Sequence, residues 1–240
     1  MYQRILLKLS GEALKAGNNK QILDVDCLKG FANVIKELLD NKIQICVVIG
    51  AGNIWRGKLA KDIGIEPVPA DFMGMLGTVI NAVALSSSLK ENYGIESTVY
   101  SAIPAIEGVS KAYNEKEADK DLKDGKVVFL AGGTGKPFYT TDTAAALRAK
   151  ELDCDAILMG KNGVEGVYDK DPLQYSDARF IKYLTFDDML KMSLQIMDIA
   201  AIELIKNTDI KIRVFSMSDP ENFLKVVKGE DIGTTLERGK

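Results

Sequence analysis

The 240-residue chain contains no histidine. That absence removes Ser-His and Cys-His nucleophilic mechanisms and histidine metal sites together. Cysteine is scarce. Cys27, Cys46 and Cys154 are far apart, match no metal-ligand spacing and sit in apolar or helical contexts. They read as buried free thiols in a reducing compartment. A surplus of positive charge is missing too: 31 basic against 34 acidic residues give a net charge of −3. A dominant duplex-binding function does not fit that balance, so no nucleic-acid partner is expected. The N-terminal apolar run covers only Ile5 to Leu9, too short for a signal-peptide core or a membrane span. No membrane partner is expected, and the expected location is the cytoplasm. No internal repeat or low-complexity segment is visible.

What is present suits a soluble globular protein: 46% apolar and 27% charged residues, enough to bury a sizeable core. Arg4 to Leu9, Ile43 to Ile49, Glu96 to Ser101, Val127 to Ala131, Asp155 to Gly160, Phe180 to Leu184, Ile210 to Met217 and Thr234 to Glu237 read as strands. Several are apolar on both faces, as strands of a covered parallel sheet are. Helical spacing follows Asp26, which looks like an N-cap, and Asp71, which looks like another. Further helices are expected at 114–123 with Asn114 as cap, over Thr143 to Leu152, through Leu194, Met197, Ala201 and Leu204, and from Pro220 to Lys228. Residues 57 to 70, with Pro67 and Pro69, read as a loop. Alternating strands and helices imply an α/β fold with a mostly parallel sheet between helical layers.

Glycine-rich turns at 10–11, 50–53, 132–135 and 160–163 all follow strands, so they can share the carboxyl edge of the sheet, where ligands bind. The richest is Gly132-Gly133-Thr134-Gly135-Lys136-Pro137-Phe138-Tyr139-Thr140-Thr141-Asp142, between a strand and a helix, where free backbone N–H groups favour an anion. It is not a P-loop. Aligned on Gly135-Lys136, the first position is Leu130 and the last Pro137. Gly50-Ala51-Gly52 is not the dinucleotide fingerprint either, because no glycine follows at the sixth place.

Six segments in order carry a resemblance: Ile5 to Glu12, Val47 to Asn53, Asp71 to Met75, Thr134 to Asp142, Gly166 to Pro172 and Arg213 to Phe215. Together they resemble the bacterial uridylate (UMP) kinases of the amino acid kinase family, over nearly the whole chain. The resemblance implies one α/β/α three-layer domain spanning 1–240. It also implies a homohexamer, and transfer of the γ-phosphoryl group of ATP to UMP with Mg²⁺. It places Lys8, Leu9, Ser10, Gly11, Gly52, Arg56, Asn162, Tyr168 and Asp171 at ATP. It places Ala51, Asp71, Thr134, Gly135, Lys136, Pro137, Phe138, Tyr139, Thr140 and Thr141 at UMP. It gives catalytic roles to Lys8, Arg56 and Asp142, with no metal ligand among the side chains.

Plainer readings stand beside these. Lys8 could be a strand-end lysine, Arg56 a solvated surface arginine, and Asp71 and Asp142 helix caps. Lys161 could be a second phosphate lysine, and Asp198 a carboxylate on an otherwise apolar helix. Ala51 stands where the family usually has glycine, which a negative φ would permit. The stretch that relatives tie to activation by GTP reads Lys15-Ala-Gly-Asn-Asn-Lys-Gln21 here and departs from their pattern. Inhibition by UTP follows if UTP occupies the UMP site. The rival functions are a sibling kinase acting on an amino acid or carbamate, and a non-catalytic nucleotide sensor.

Overall fold

The computed structural model describes residues 1–15 and 21–239; residues 16–20, inside the stretch compared with GTP-responsive relatives, lie outside them. The strands are β1 (Arg4–Leu9), β2 (Gln44–Ile49), β3 (Ser97–Ser101), β4 (Lys111–Ala112), β5 (Val127–Ala131), β6 (Ala156–Lys161), β7 (Val167–Tyr168), β8 (Phe180–Ile181), β9 (Tyr183–Thr185), β10 (Lys211–Ser216) and β11 (Thr234–Glu237). Among the described residues, nine of them form one sheet in the order β4-β3-β5-β2-β1-β6-β10-β11-β9. All neighbours are parallel except at β11, which runs antiparallel to β10 and carries β9 alongside. β7 and β8 make a separate antiparallel pair.

The helices are α1 (Val25–Asp40), α2 (Pro67–Tyr93), α3 (Glu115–Lys123), α4 (Thr141–Glu151), α5 (Phe186–Lys191), α6 (Ile199–Ile205) and α7 (Glu221–Val227). Strand side chains alternate between two faces. Ile5, Leu7 and Leu9 of β1 join one core with α1, α2 and α7. Leu6 of β1 joins the other, with α3, α4, α5 and α6. The buried residues of both cores are at most 9% exposed, and each fully buried Leu or Ile contributes about 1.5–3 kcal/mol. Lys8 continues the Leu6 row, so it lies on the α4 side at the carboxyl edge.

This three-layer arrangement has a switch point. From β1 the chain crosses one face of the sheet through α1 to reach β2. From β6 it crosses the opposite face through α5 and α6 to reach β10. β1 and β6 are neighbours, with Lys8 opposite Met159. Departing in opposite directions, the two connections open a crevice at the carboxyl ends of these strands.

Several local expectations are corrected. Asp24, not Asp26, caps α1, accepting from the backbone N–H groups of Asp26 and Cys27. The 57–70 region is not all loop, because α2 already begins at Pro67. A proline in the first turn costs no hydrogen bond, since those N–H groups have no helical partner. Asp71 is therefore inside the helix and caps nothing. α4 begins at Thr141 with Thr140 as its cap, which leaves Asp142 in the first turn. Phe180 to Leu184 divides into β8 and β9, which belong to different sheets. The helix through Leu194 starts only at Ile199, with Asp198 as its cap. Of the three thiols, Cys46 and Cys154 are buried and Cys27 is half-buried.

α2 is long and apolar enough to cross a membrane by length and composition alone. Its inner face instead packs on the sheet core through Met75, Val79, Ala82, Leu85 and Leu89. Gly94 ends it in the left-handed conformation, at φ 65°.

Candidate functional site

The central strands β5, β2, β1 and β6 bring their four glycine turns to one edge of the sheet. Gly11 and the 50–53 turn are pressed together: a Cβ on Gly11 would lie 2.4 Å from Asn53 Oδ1 and 2.5 Å from the Gly50 carbonyl. Only glycine fits there. α2 pins this turn from below. Asn81, fully buried, donates to the Gly50 carbonyl at 2.8 Å and exchanges hydrogen bonds with Asn53 at 2.8 and 3.0 Å. The Thr78 hydroxyl accepts from Gly132 N–H at 2.8 Å, which ties α2 to the third turn as well. Ala51 is buried with no positive φ, so its methyl group is accommodated; Gly77 of α2 makes the room for it.

Lys8 Nζ meets Asp142 Oδ1 at 2.7 Å, with both side chains about four-fifths buried. The contact is an ion pair without hydrogen-bond alignment. Lys161, at the end of β6, is half-buried on the same side. Burial lowers its pKa, the charge on Lys8 lowers it further, and Asp142 opposes both. The Thr141 hydroxyl lies close to Gly50. Ser10 is exposed above the Gly11 turn. Leu9 is different: its side chain is buried in the core, so only its backbone reaches the edge, where its carbonyl accepts from Gly50 N–H at 2.9 Å.

Arg56 sits at the mouth. Its Nη2 pairs with Glu12 Oε1 at 2.7 Å, and Glu12 Oε2 takes Lys15 Nζ at 2.8 Å. The Lys15 hydrogen bond is the largest effect on the Glu12 carboxyl; burial, next in size, pushes it up, and with the help of Arg56 the carboxyl stays below its ordinary value. On the β5 side, Asp71 Oδ2 accepts from Phe138 N–H at 2.7 Å. Phe138 has φ 69°, so Asp71 holds a strained residue that also carries an exposed ring. Lys136 and Tyr139 are exposed, and Pro137 is half-buried. Lys136 N–H donates to the Thr134 hydroxyl at 3.2 Å. Gly135, at φ 77°, would place a Cβ 2.5 Å from the Ala102 carbonyl.

On the β6 side two cavities meet. One of about 620 Å³ is lined by Asp142 and by residues from Met189 to Ile199. Another of about 600 Å³ is lined by Lys161, Tyr168, Asp171 and the shared residues Ser193 to Ile196. Tyr168 is braced edge-on by Phe180, with centroids 5.5 Å apart. Asp171 accepts from Leu173 N–H at 2.9 Å, which fixes its turn. Asn162 does not join them. It is exposed and lines a smaller cavity, of about 250 Å³, with Glu12, Lys15 and Phe223.

Asp198 is more than a helix cap. It accepts from Ala201 N–H at 2.7 Å, from the Thr143 hydroxyl at 2.9 Å and from the Thr140 hydroxyl. It thus joins the start of α4 to the loop that lines both cavities. Sequence reading gave Glu12, Asn53 and Asn81 no role. The signal for Asn81 was an amide on the apolar side of a helix, which demands a buried partner.

A crevice with lysines at its floor, glycine turns around them and a cavity to one side can hold a phosphate chain with its nucleoside. Comparison with known proteins points the same way. The model of the amino acid kinase family matches residues 3–216. A uridylate kinase of Mycoplasma capricolum subsp. capricolum is 44% identical over 236 residues, 98% of each chain. The structure of UMP kinase from Bacillus anthracis superimposes with a TM-score of 0.95 at 36% identity, covering 100% of this chain and 97% of that one. That of UMP kinase from Ureaplasma parvum gives 0.92 at 34% identity, covering 99% and 100%.

Proposed function

Because the chain belongs to the amino acid kinase family, we propose that its crevice is a phosphoryl-transfer site that moves the γ-phosphoryl group of ATP to UMP, giving UDP and ADP. The observation that carries this reading is the Lys8–Asp142 pair at the switch point, ringed by the turns at Gly11, Gly50 and Gly132. The names of the relatives supply the acceptor.

In the reaction a phosphate oxygen of UMP attacks the γ-phosphorus, and the bond to the β–γ bridging oxygen breaks with its electron pair leaving on ADP. The protein's task is positioning and charge stabilisation. Lys8 is the cation for the transferred group, and Asp142 orients it. Asp142 has no base role, because the UMP phosphate is already ionised near neutral pH. Arg56 completes the charge when it exchanges the Glu12 carboxylate for phosphate oxygens. The backbone at Lys8, Leu9, Ser10, Gly11 and Gly52 lies against the ATP phosphates, and Tyr168 and Asp171 hold the nucleoside. Asn162 reaches ATP only if the nucleotide spans toward the smaller cavity. Ala51, Asp71 and Thr134 to Thr141 form the UMP cradle.

Among the described residues no three acidic or thiol side chains cluster to cage a metal. That donor set fits Mg²⁺ carried in on the ATP phosphates with its own waters, with Asp142 as the acidic side chain at the phosphate end. Bound there, the ion would neutralise phosphate charge.

The same reading makes residues 1–240 one catalytic domain, in the cytoplasm, assembled as a homohexamer and inhibited by UTP at the UMP site. The test is phosphate transfer from ATP with Mg²⁺ across UMP, CMP, AMP, glutamate and carbamate. UDP should form in preference to every other product. Transfer to glutamate or carbamate, or nucleotide binding without transfer, overturns the reading.

A further inference from the structure

Tyr168 and Asp171 stand on a hairpin that the main sheet does not contain. Tyr168 ends β7, and Asp171 lies in the loop between β7 and β8. The two strands meet in only two residue pairs, Val167 with Ile181 and Tyr168 with Phe180. A ribbon that short is not stable by itself in water. β8 leads directly into β9, which pairs with β11, so the outgoing strand is tied to the main sheet. Among the described residues the incoming strand, β7, has no partner strand there.

One hydroxyl takes the place of that partner. Thr234, the first residue of β11, is completely buried. Its Oγ1 accepts from Val167 N–H at 2.9 Å and donates to the Ile181 carbonyl at 2.5 Å. A single side chain thus holds both strands of the hairpin at the same residue pair. Gly166 lets them approach: a Cβ there would lie 2.7 Å from Thr234 Oγ1 and 2.9 Å from Phe180 Cε2. Thr234 is itself fixed. It lies opposite Val214 of β10, and a Cβ on the preceding Gly233, at φ 67°, would stand 2.2 Å from the Val214 carbonyl. Val214 lines the same cavity as Tyr168 and Asp171. The hydroxyl therefore fastens one wall of the nucleoside-side cavity to another.

We infer that Thr234 is a positioning residue for the adenine nucleotide, an assignment that rests on the phosphoryl-transfer reading of this crevice. Its hydroxyl sets the place of the hairpin, and through it of Tyr168 and Asp171. Without the hydroxyl, the Val167 N–H and the Ile181 carbonyl lose a buried partner, and the hairpin must shift to find another. The acceptor cradle is spared. Ala51 follows β2 and Thr134 to Thr141 follow β5, both separated from β11 by β1, β6 and β10.

Titration calorimetry of the full chain with ADP, AMP and UMP separates this role from a general loosening of the fold. Thr234→Val keeps the shape of the side chain and removes the hydroxyl. It should weaken ADP and AMP alike, by about tenfold, because two hydrogen bonds to the nucleoside wall are lost and no phosphate contact is. UMP affinity should stay at the parental value. In steady state KM for ATP should rise, while kcat at saturating ATP and KM for UMP hold. Thr234→Ser, which returns the hydroxyl, should restore most of the ADP affinity. If Thr234→Val fails to fold, Gly166→Ala serves in the same comparison, since its methyl group pushes the hairpin off Thr234 and should give the same selective loss. Unchanged ADP and AMP affinity overturns the assignment, as does an equal loss for UMP or a serine variant that restores nothing. The two readings fail separately. Selective loss of ADP and AMP in a protein that does not phosphorylate UMP sinks only the acceptor. UDP formation with unchanged ADP affinity in Thr234→Val sinks only the role of Thr234.

Discussion

At the scale of single residues, the arrangement rests on charges that have been paired on purpose and others that have not. Lys8 is held by Asp142 in a partly dry pocket, where a cation stabilises developing negative charge far better than in water. Lys8→Ala should lower kcat by about 10²-fold or more, as the loss of one such contact does elsewhere. KM for UMP should move little, because the contact is made mainly in the transition state. Steady-state kinetics at saturating ATP check this, and near-parental kcat would remove Lys8 from the chemistry. Lys8 was legible in the sequence, since a lysine inside an apolar strand needs an anion or a way out. Asp71 and Asp142 were legible only as alternatives between cap and site. The structure removes the cap reading of both, with Thr140 capping α4 and with α2 starting four residues before Asp71. The partners of Glu12 and Asn81, Arg56 and Gly50, were not legible, because they are distant in sequence and set by tertiary packing.

At the scale of elements, α2 and α3 work as clamps. Asn81 joins α2 to the Gly50 turn through a wholly buried amide. Asn81→Ala strands the Gly50 carbonyl and Asn53 Oδ1, and should cost about 2 kcal/mol by the usual penalty for unsatisfied buried groups. Chemical denaturation measures that cost, and KM for ATP should rise with it as the turn loosens. On the other face, Asp121 of α3 accepts from Lys126 Nζ, the Thr98 hydroxyl and the Tyr100 hydroxyl at 2.7, 2.7 and 2.9 Å. Burial pushes its carboxyl up, but those three donors outweigh burial and hold it below the ordinary 3.8. A carboxyl depressed in the folded state adds stability that is fully present above its unfolded value and is lost as pH falls through its folded value. Asp121→Asn should therefore be less stable than the parent at pH 7, and the gap should close as the pH falls below 3.8. Paired melting curves across that range decide it; a gap independent of pH would mean that the charge contributes nothing. Element order was readable because strand and helix periods differ. The start of α2 was not, since proline breaks a helix anywhere but in its first turn.

At the scale of the whole molecule, α2 shows two faces of opposite use. The inner one builds the core and fixes two turns of the crevice. Along the outer one, Val68, Phe72, Leu76 and Ile80 recur every fourth residue and are 41%, 38%, 48% and 49% exposed. Met73 lies beside them, also exposed. Side chains four apart share one helix face, so these form a stripe rather than scattered surface residues, and contiguous exposed apolar patches mark interaction sites. The proposed homohexamer gives the stripe an occupant, the same helix of a second copy, because a symmetric contact buries like against like. Leu76→Glu with Ile80→Glu would place carboxylates in that contact and bring those of the two copies together. Sedimentation velocity should then shift from an assembly to a smaller species, while circular dichroism stays that of the parent, since neither side chain belongs to the core. The effect on catalysis should be indirect. α2 carries Asp71, which holds Phe138, and Asn81, which holds Gly50, so freeing its outer face should loosen the acceptor cradle and raise KM for UMP more than it lowers kcat. An unchanged sedimentation coefficient would show that the stripe is not where the copies meet.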